Sequence, residues 1–453
     1  MGMADDKGPT VELCDWACST RYSDLPAEVC KEAVTILYDT IGGMIASSTL
    51  PTCLPVVEMV KAIGGNGDCS IVGHPVKTTV THAALANGTI GHGDEVDAVG
   101  KYGGSHFAAV TVPTGISLGQ YVRASGKELL RAVALGSEVA ARINMLQVEV
   151  FDHRRRHFSR TIGSTMGAAV LASLLLNLNA EQMEHALGLA ASEAAGLSTI
   201  YSDPAHQCKS LQMGIAAQGG IIAALLAQRG FHGPPEVLTT EHGFFEAFTG
   251  YAGLGNRVVD DLGKTYLINR IQYKLFPVGG PNQFPLYVFL QMLKKHKLTA
   301  DDIANVEVMI TIDSFLTAAT LKHPSVYQPT VLSLAAVFGE VGFQHIHDPR
   351  YYQDARVEAF KERVKLLPQR TQDTAASSRQ MQLRIRTHNG EVMSEALPSG
   401  FPSMNEEKLQ RKFRTLVGLR ANEKKVLDLE RKLKGIGEVN NIAPLISELE
   451  LPG

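Results

Sequence analysis

The stretches MGAAVLASLLLNL (166–178) and IAAQGGIIAALLAQ (215–228) are apolar nearly all the way round a helix rather than along one stripe. A helix without a polar face belongs in the middle of a bundle, where glycine and alanine let neighbouring backbones approach closely. Outward from this pair, Leu25 to Ile45, Gly126 to Asn144 and Glu181 to Gly196 repeat apolar residues at spacings of three and four, as amphipathic helices do. From about Val11 to Gly255 the chain therefore reads as helical. Its character changes near Asp260. Ala304 to Ile312 alternates apolar and polar residues, the signature of a half-buried strand. Gln380 to Leu397 is two alternating runs around Asn389-Gly390, a hairpin signal. Phe284 to Lys295 and Tyr352 to Lys365 read as helices between these strands. After Pro402, Ser403 with Glu406 three residues on suggests a capping box, and a helical pattern then runs to the end. The expected fold is mainly α: a large helical domain from residues 1–268 and 403–453, interrupted by a smaller α+β lid, 269–402.

The 453 residues carry 43 Lys+Arg against 46 Asp+Glu, a net charge of -3, which lacks the basic excess of a nucleic-acid binder. The six cysteines are scattered without a C-x-x-C pair, which suits a reduced intracellular protein and offers no framework for an iron–sulfur cluster or structural zinc. The acidic start lacks the apolar core of a signal peptide, and Gly214 to Ala227 is too short and glycine-rich to span a bilayer. A cytoplasmic protein with no membrane or nucleic-acid partner is expected.

There is no P-loop, dinucleotide-binding glycine motif, G-x-S-x-G elbow or H-E-x-x-H. His345-x-His347-Asp348 has metal-ligand residue types, but its setting reads as a solvated loop. Three stretches carry more chemistry. His92-Gly93-Asp94-Glu95-Val96-Asp97, followed by a glycine-rich loop to His106, can supply acid–base groups, because histidine titrates near neutrality. On local pattern alone it reads rather as a polar loop joining helices. Asp152 to Thr161 sets Arg154, Arg155, Arg156, His157 and Arg160 at the entrance of an apolar helix, where cations and free amides favour an anion, and it reads equally as a solvated charge run. Lys209 and Lys274 each sit beside apolar residues. Either alone would snorkel harmlessly, whereas a pocket collecting both would suit a molecule with several carboxylates.

Together these motifs resemble the MmgE/PrpD family, which includes 2-methylcitrate dehydratases, cis-aconitate decarboxylases and iminodisuccinate epimerases. The resemblance covers about residues 10–450. It rests on the acid loop ending in His106, on His157-x-x-x-Thr161-x-Gly163, on Lys209 followed by Gly214-x-Ala216-Ala217-Gln218-x-Gly220, on Gly230-Phe231-x-Gly233-Pro234, and on Lys274-Leu275-Phe276-Pro277. It implies a homodimer, a site between helical domain and lid, and catalysis without metal or organic cofactor. By motif position His106, His157, Lys209 and Lys274 would be catalytic. Asp97, Glu95, Arg155, Arg160, Thr161 and Tyr273 would line the substrate. The chain departs from the family where Ala98 and Val99 follow Asp97, where Phe107 follows His106, and where Val278 to Asn282 lack a histidine. These changes point to a substrate with a more apolar side group, such as a longer alkylcitrate. The expected reaction is dehydration of a citrate-type tricarboxylate, with His157 as base and His106 as acid or the reverse. The same residues would serve decarboxylation or epimerisation, and loss of activity to leave a helical scaffold is the reading from another class.

Overall fold

The computed structural model describes residues 7–101, 104–149, 158–159, 161–311, 315, 318–369 and 381–451. Among the described residues, nine α-helices carry the first half of the chain. They are α1 (Pro9–Ser19), α2 (Ala27–Ser47), α3 (Leu54–Ile63), α4 (Val80–Gly91), α5 (Ala108–Val122), α6 (Gly126–Glu149), α7 (Ile162–Leu175), α8 (Ala180–Ser192) and α9 (Gln207–Gln228). The fold is mainly α.

α7 is the centre, and every one of its residues is buried. Its neighbours come close because the contact points lack side chains. A Cβ on Gly167 of α7 would lie 2.5 Å from the carbonyl of Gly136 on α6, and one on Gly220 of α9 would lie 2.5 Å from Ala168 Cβ. α4 and α9 cross in the same way, with Gly88 against the Cα of Gly214. Glycine and alanine on these helices thus lie where the backbones cross. α9 differs from the expectation on one face. It has 22 residues, long and apolar enough to cross a bilayer by length, with 56% of its most apolar window buried. Leu211, Ile215, Ile222 and Leu226 form an exposed stripe on it, because periodicity marks a face as apolar without saying what covers it.

The described residues form two apolar cores. The first joins Leu13 through Ile268 to Phe413 through Leu451. The second runs from Val278 to Leu397. The returning helix Glu406–Gly418 packs on α2, where Phe413 stacks on Tyr38 with ring centroids 4.1 Å apart. It is capped by Asn405, which accepts from Lys408 N–H, and not by Ser403 as expected.

The second core is built on one sheet, ordered β6-β5-β7-β8, with β5 Ile303–Thr311, β6 Val364–Gln369, β7 Gln382–Thr387 and β8 Val392–Ala396. β7 and β8 form the antiparallel hairpin around Asn389-Gly390, and β5 lies antiparallel to β7. The expected helix Tyr352 to Lys365 is wrong in its second half. The helix Ala355–Lys361 ends, and Val364 opens a strand parallel to β5, pairing with Val306. Its apolar run is too short to separate helix from strand by period alone. The helices Gln283–His296 and Gln328–Phe338 cover this sheet.

Candidate active site

α4 ends at Gly91, and the chain turns through His92, Asp94, Glu95 and Asp97 before the two-residue strand β3 (Val99–Gly100). β3 pairs with strand β4 (Ile271–Gln272), so the acid loop is fastened to the segment that delivers Lys274. Three further bonds pin its backbone. Ser210 donates to the His92 carbonyl, Thr52 to that of Gly93, and Lys412 of the returning helix to that of Val96. Both chain ends and α9 therefore fix one short loop.

Glu95 lies at the centre, 3% exposed. One carboxylate oxygen accepts from Lys209 Nζ, in the first turn of α9, and from His206 Nε2 at 3.1 Å. The other accepts from Lys274 Nζ at 2.5 Å. Lys274 is fully buried and also lies 3.5 Å from Asp97. Asp97 in turn holds two imidazoles, His92 Nδ1 at 2.8 Å on one oxygen and His106 Nδ1 at 2.7 Å on the other. A buried ion is tolerated only with partners of this kind.

The titrations follow from these contacts. Burial alone would raise the carboxyls of Glu95 and Asp97. Lys209 and Lys274 hold Glu95 well below the usual range, and His106, His92 and Lys274 do so for Asp97. Burial would lower Lys274, but Glu95 and Asp97 raise it. The two imidazoles on Asp97 diverge. Burial drops His106 to about 3, against the pull of Asp97. His92, where burial is outweighed by Asp97, is raised. An ionised carboxylate only accepts, so His106 carries its proton on Nδ1 and presents a bare Nε2 lone pair.

Two donor sets, His92/Asp97/His106 and His92/Glu95/His206, have ligand atoms within 4.8 Å of one another. Their carboxylates are already matched by the ammonium groups of Lys209 and Lys274, the charge that a cation would otherwise supply.

Of the expected site residues, the structure brings together Glu95, Asp97, His106, Lys209 and Lys274. His157, Arg155 and Arg160 lie outside the described residues. Thr161 is buried at the start of α7 and takes a hydrogen bond from Ser159 Oγ at 3.0 Å. That turn is tied to the site by Asn144, which donates to Ser164 and to Ser105, the neighbour of His106. Tyr273 is not in the cluster. Its hydroxyl donates instead to Glu32 of α2.

The expectation of a solvated loop at His347 is also corrected. His347 Nε2 lies 2.9 Å from Asp94, and Ser325 Oγ donates to the other Asp94 oxygen at 2.7 Å. His206, His323 and Ser325 were not singled out from sequence. The spacing His206-x-x-Lys209 at a helix start offered a signal for the first. The other two come from more than two hundred residues away, Ser325 bonding Asp94 directly and His323 contacting Ser325, and no local pattern marks them.

The chain is 24% identical to a cis-aconitate decarboxylase of Aspergillus terreus over 98% of its own length and 96% of the relative's. It is 24% identical to a cis-aconitate decarboxylase-like protein of Aspergillus oryzae, covering 97% of each chain. The human cis-aconitate decarboxylase is 28% identical over 57% of this chain and 54% of its own. The model of the MmgE/PrpD N-terminal domain matches residues 11–256, and with more than half of its length matched the chain belongs to the MmgE/PrpD family.

Proposed function

We propose that this chain is a cofactor-independent lyase that removes carbon dioxide or water from a tricarboxylate through a carbanion stabilised by an adjacent carboxylate. One observation carries the reading: two buried ammonium groups, Lys209 and Lys274, converge on Glu95 beside an imidazole, His106, that is neutral and has a free lone pair. Each ammonium has further N–H donors for substrate carboxylates. Their charge stabilises the electron pair left on carbon when a proton or carbon dioxide departs.

Decarboxylation of a cis-aconitate-type acid is favoured by the full-length fungal relatives. There the C–C electron pair stays on the substrate, and the carbon then takes up a proton. Dehydration of a citrate-type acid, 2-methylcitrate or a longer alkylcitrate, is favoured by His106. Asp97 holds its Nδ1 proton and leaves Nε2 bare, so the imidazole is placed to accept the carbon-bound proton. His157 would then protonate the departing hydroxide, the reverse of the first assignment.

The reading includes a cytoplasmic homodimer. The exposed stripe Leu211, Ile215, Ile222 and Leu226 on α9 supports self-association through this helix.

Incubation with cis-aconitate, 2-methylcitrate and long-chain alkylcitrates, followed by mass spectrometry, separates the readings. Loss of carbon dioxide from cis-aconitate marks the decarboxylase, and loss of one water from a citrate the dehydratase. Better turnover of methylcitrate than of its long-chain analogues removes the alkylcitrate proposal. No turnover of any polycarboxylate would leave the helical scaffold.

A further inference from the structure

Asp94 belongs to the acid loop but takes no part in the Glu95 and Asp97 clusters. It is 1% exposed, and its described partners come from the α+β unit. Ser325 Oγ donates to Oδ1 at 2.7 Å, and His347 Nε2 lies 2.9 Å from Oδ2. His323 Nδ1 is 2.8 Å from the same Ser325 oxygen. The ring of His323 stacks on that of His206, with centroids 5.3 Å apart and planes 28° apart, and His206 Nε2 contacts Glu95. The α+β unit thus lays an imidazole against the wall of the Glu95 cluster.

The direction of each hydrogen bond is fixed by chemistry. Burial would raise the Asp94 carboxyl, but His347, His323 and His206 hold it below the usual range, so it is ionised and only accepts. Ser325 therefore spends its single proton on Asp94, and its oxygen accepts from His323 Nδ1–H. Burial keeps the His323 imidazole neutral near pH 7 against the opposing pull of Asp94. Its lone pair is left on Nε2, for which the described residues provide no partner. In a site furnished with ammonium donors, this is a group that accepts. A carboxylate offers it nothing, whereas a hydroxyl does.

We propose that His323 is a specificity-determining residue that accepts the hydrogen bond of a substrate hydroxyl, and that Ser325 and Asp94 are positioning residues which fix its tautomer. The inference rests on the tricarboxylate reading above and narrows it to hydroxyl-bearing acids of the citrate type.

The test compares citrate with tricarballylate, the same tricarboxylate without the hydroxyl, by isothermal titration calorimetry. The wild-type chain is expected to bind citrate roughly tenfold more tightly, the worth of one neutral hydrogen bond whose acceptor is otherwise left unpaired. His323→Ala abolishes that preference while leaving tricarballylate affinity in place. Ser325→Ala weakens it, and Ser325→Thr, which keeps the hydroxyl, restores it. Imidazole nitrogen-15 spectra of histidine-labelled protein report the tautomer directly, the His323 signals being those lost in His323→Gln. The protonated nitrogen is expected at Nδ1 in the wild type and distributed over both positions in Ser325→Ala. Equal binding of the two acids by the wild type, a preference that survives His323→Ala, or a proton on Nε2 overturns this inference alone. Binding of neither acid overturns the tricarboxylate reading and this inference with it.

Discussion

Asp97 holds an imidazole on each of its oxygens, yet only one of the two rings is suited to carry the extra proton. His92 is fully buried and raised, and His106 is lowered to about 3. Between pH 6.5, the ordinary value for histidine, and about 3, the unfolded chain binds a proton at His106 that the folded chain refuses. Stability from this position therefore falls as pH drops through that window. The thermal midpoint of His106→Asn is expected to depend less on pH between 7 and 4 than that of the wild type, as scanning calorimetry would report. The same substitution should lower kcat by roughly 10²–10⁴-fold on whichever tricarboxylate is turned over, the usual worth of a positioned base. Glu95→Gln presents a different case. It leaves Lys209 and Lys274 with an uncharged amide in a buried cluster, and losing one partner of such a network costs about 3–5 kcal/mol. Urea denaturation of the variant at pH 7 would measure it. Of these residues, Glu95, Asp97, His106, Lys209 and Lys274 were visible in the sequence as motif positions. Which oxygen each one holds was not, because it depends on three elements meeting at one loop.

At the scale of elements, the small residues decide how near the helices lie. Gly214 has no room for a methyl group, since its Cβ would stand 2.3 Å from the carbonyl of Leu85 on α4. Alanine is the better helix former by about 1 kcal/mol, so an exposed Gly→Ala change would stabilise. Gly214→Ala is instead expected to destabilise by about 1–3 kcal/mol, as overpacking does, and chemical denaturation would show the sign. A stabilised variant would mean that α4 and α9 are free to separate. The long helices were legible because their apolar period runs over many turns. β6 was not, because Val364 to Gln369 is too brief to display a period and pairs with a strand some sixty residues earlier. The cap at Asn405 shows the same limit, since Ser403 and Asn405 are both good caps and packing chooses between them.

For the whole molecule, the returning chain end does more than complete a bundle. Lys412 pairs with the buried Asp39 of α2 at 2.7 Å and donates to the carbonyl of Val96, between Glu95 and Asp97. The last segment of the chain thus holds the centre of the site. α9 exposes four apolar side chains, Leu211, Ile215, Ile222 and Leu226, on the face turned away from the buried Lys209. If a second copy covers them, Ile215→Lys with Ile222→Lys should convert the dimer to a monomer in sedimentation velocity. A wild-type chain that sediments as a monomer would remove the dimer proposal.

The sequence by itself determined the helical class, the interruption by an α+β unit and the residue types of the charged cluster. Each of these is written in local periodicity or in residue identity, which a chain carries before it folds. Tertiary structure alone decided that Tyr273 turns to Glu32, that His347 leaves solvent for Asp94, and that His323 comes to lie on His206. These are contacts between segments tens to hundreds of residues apart. They are selected by how two cores pack and by the demand that every buried charge find a partner, and no pattern along the chain encodes that demand.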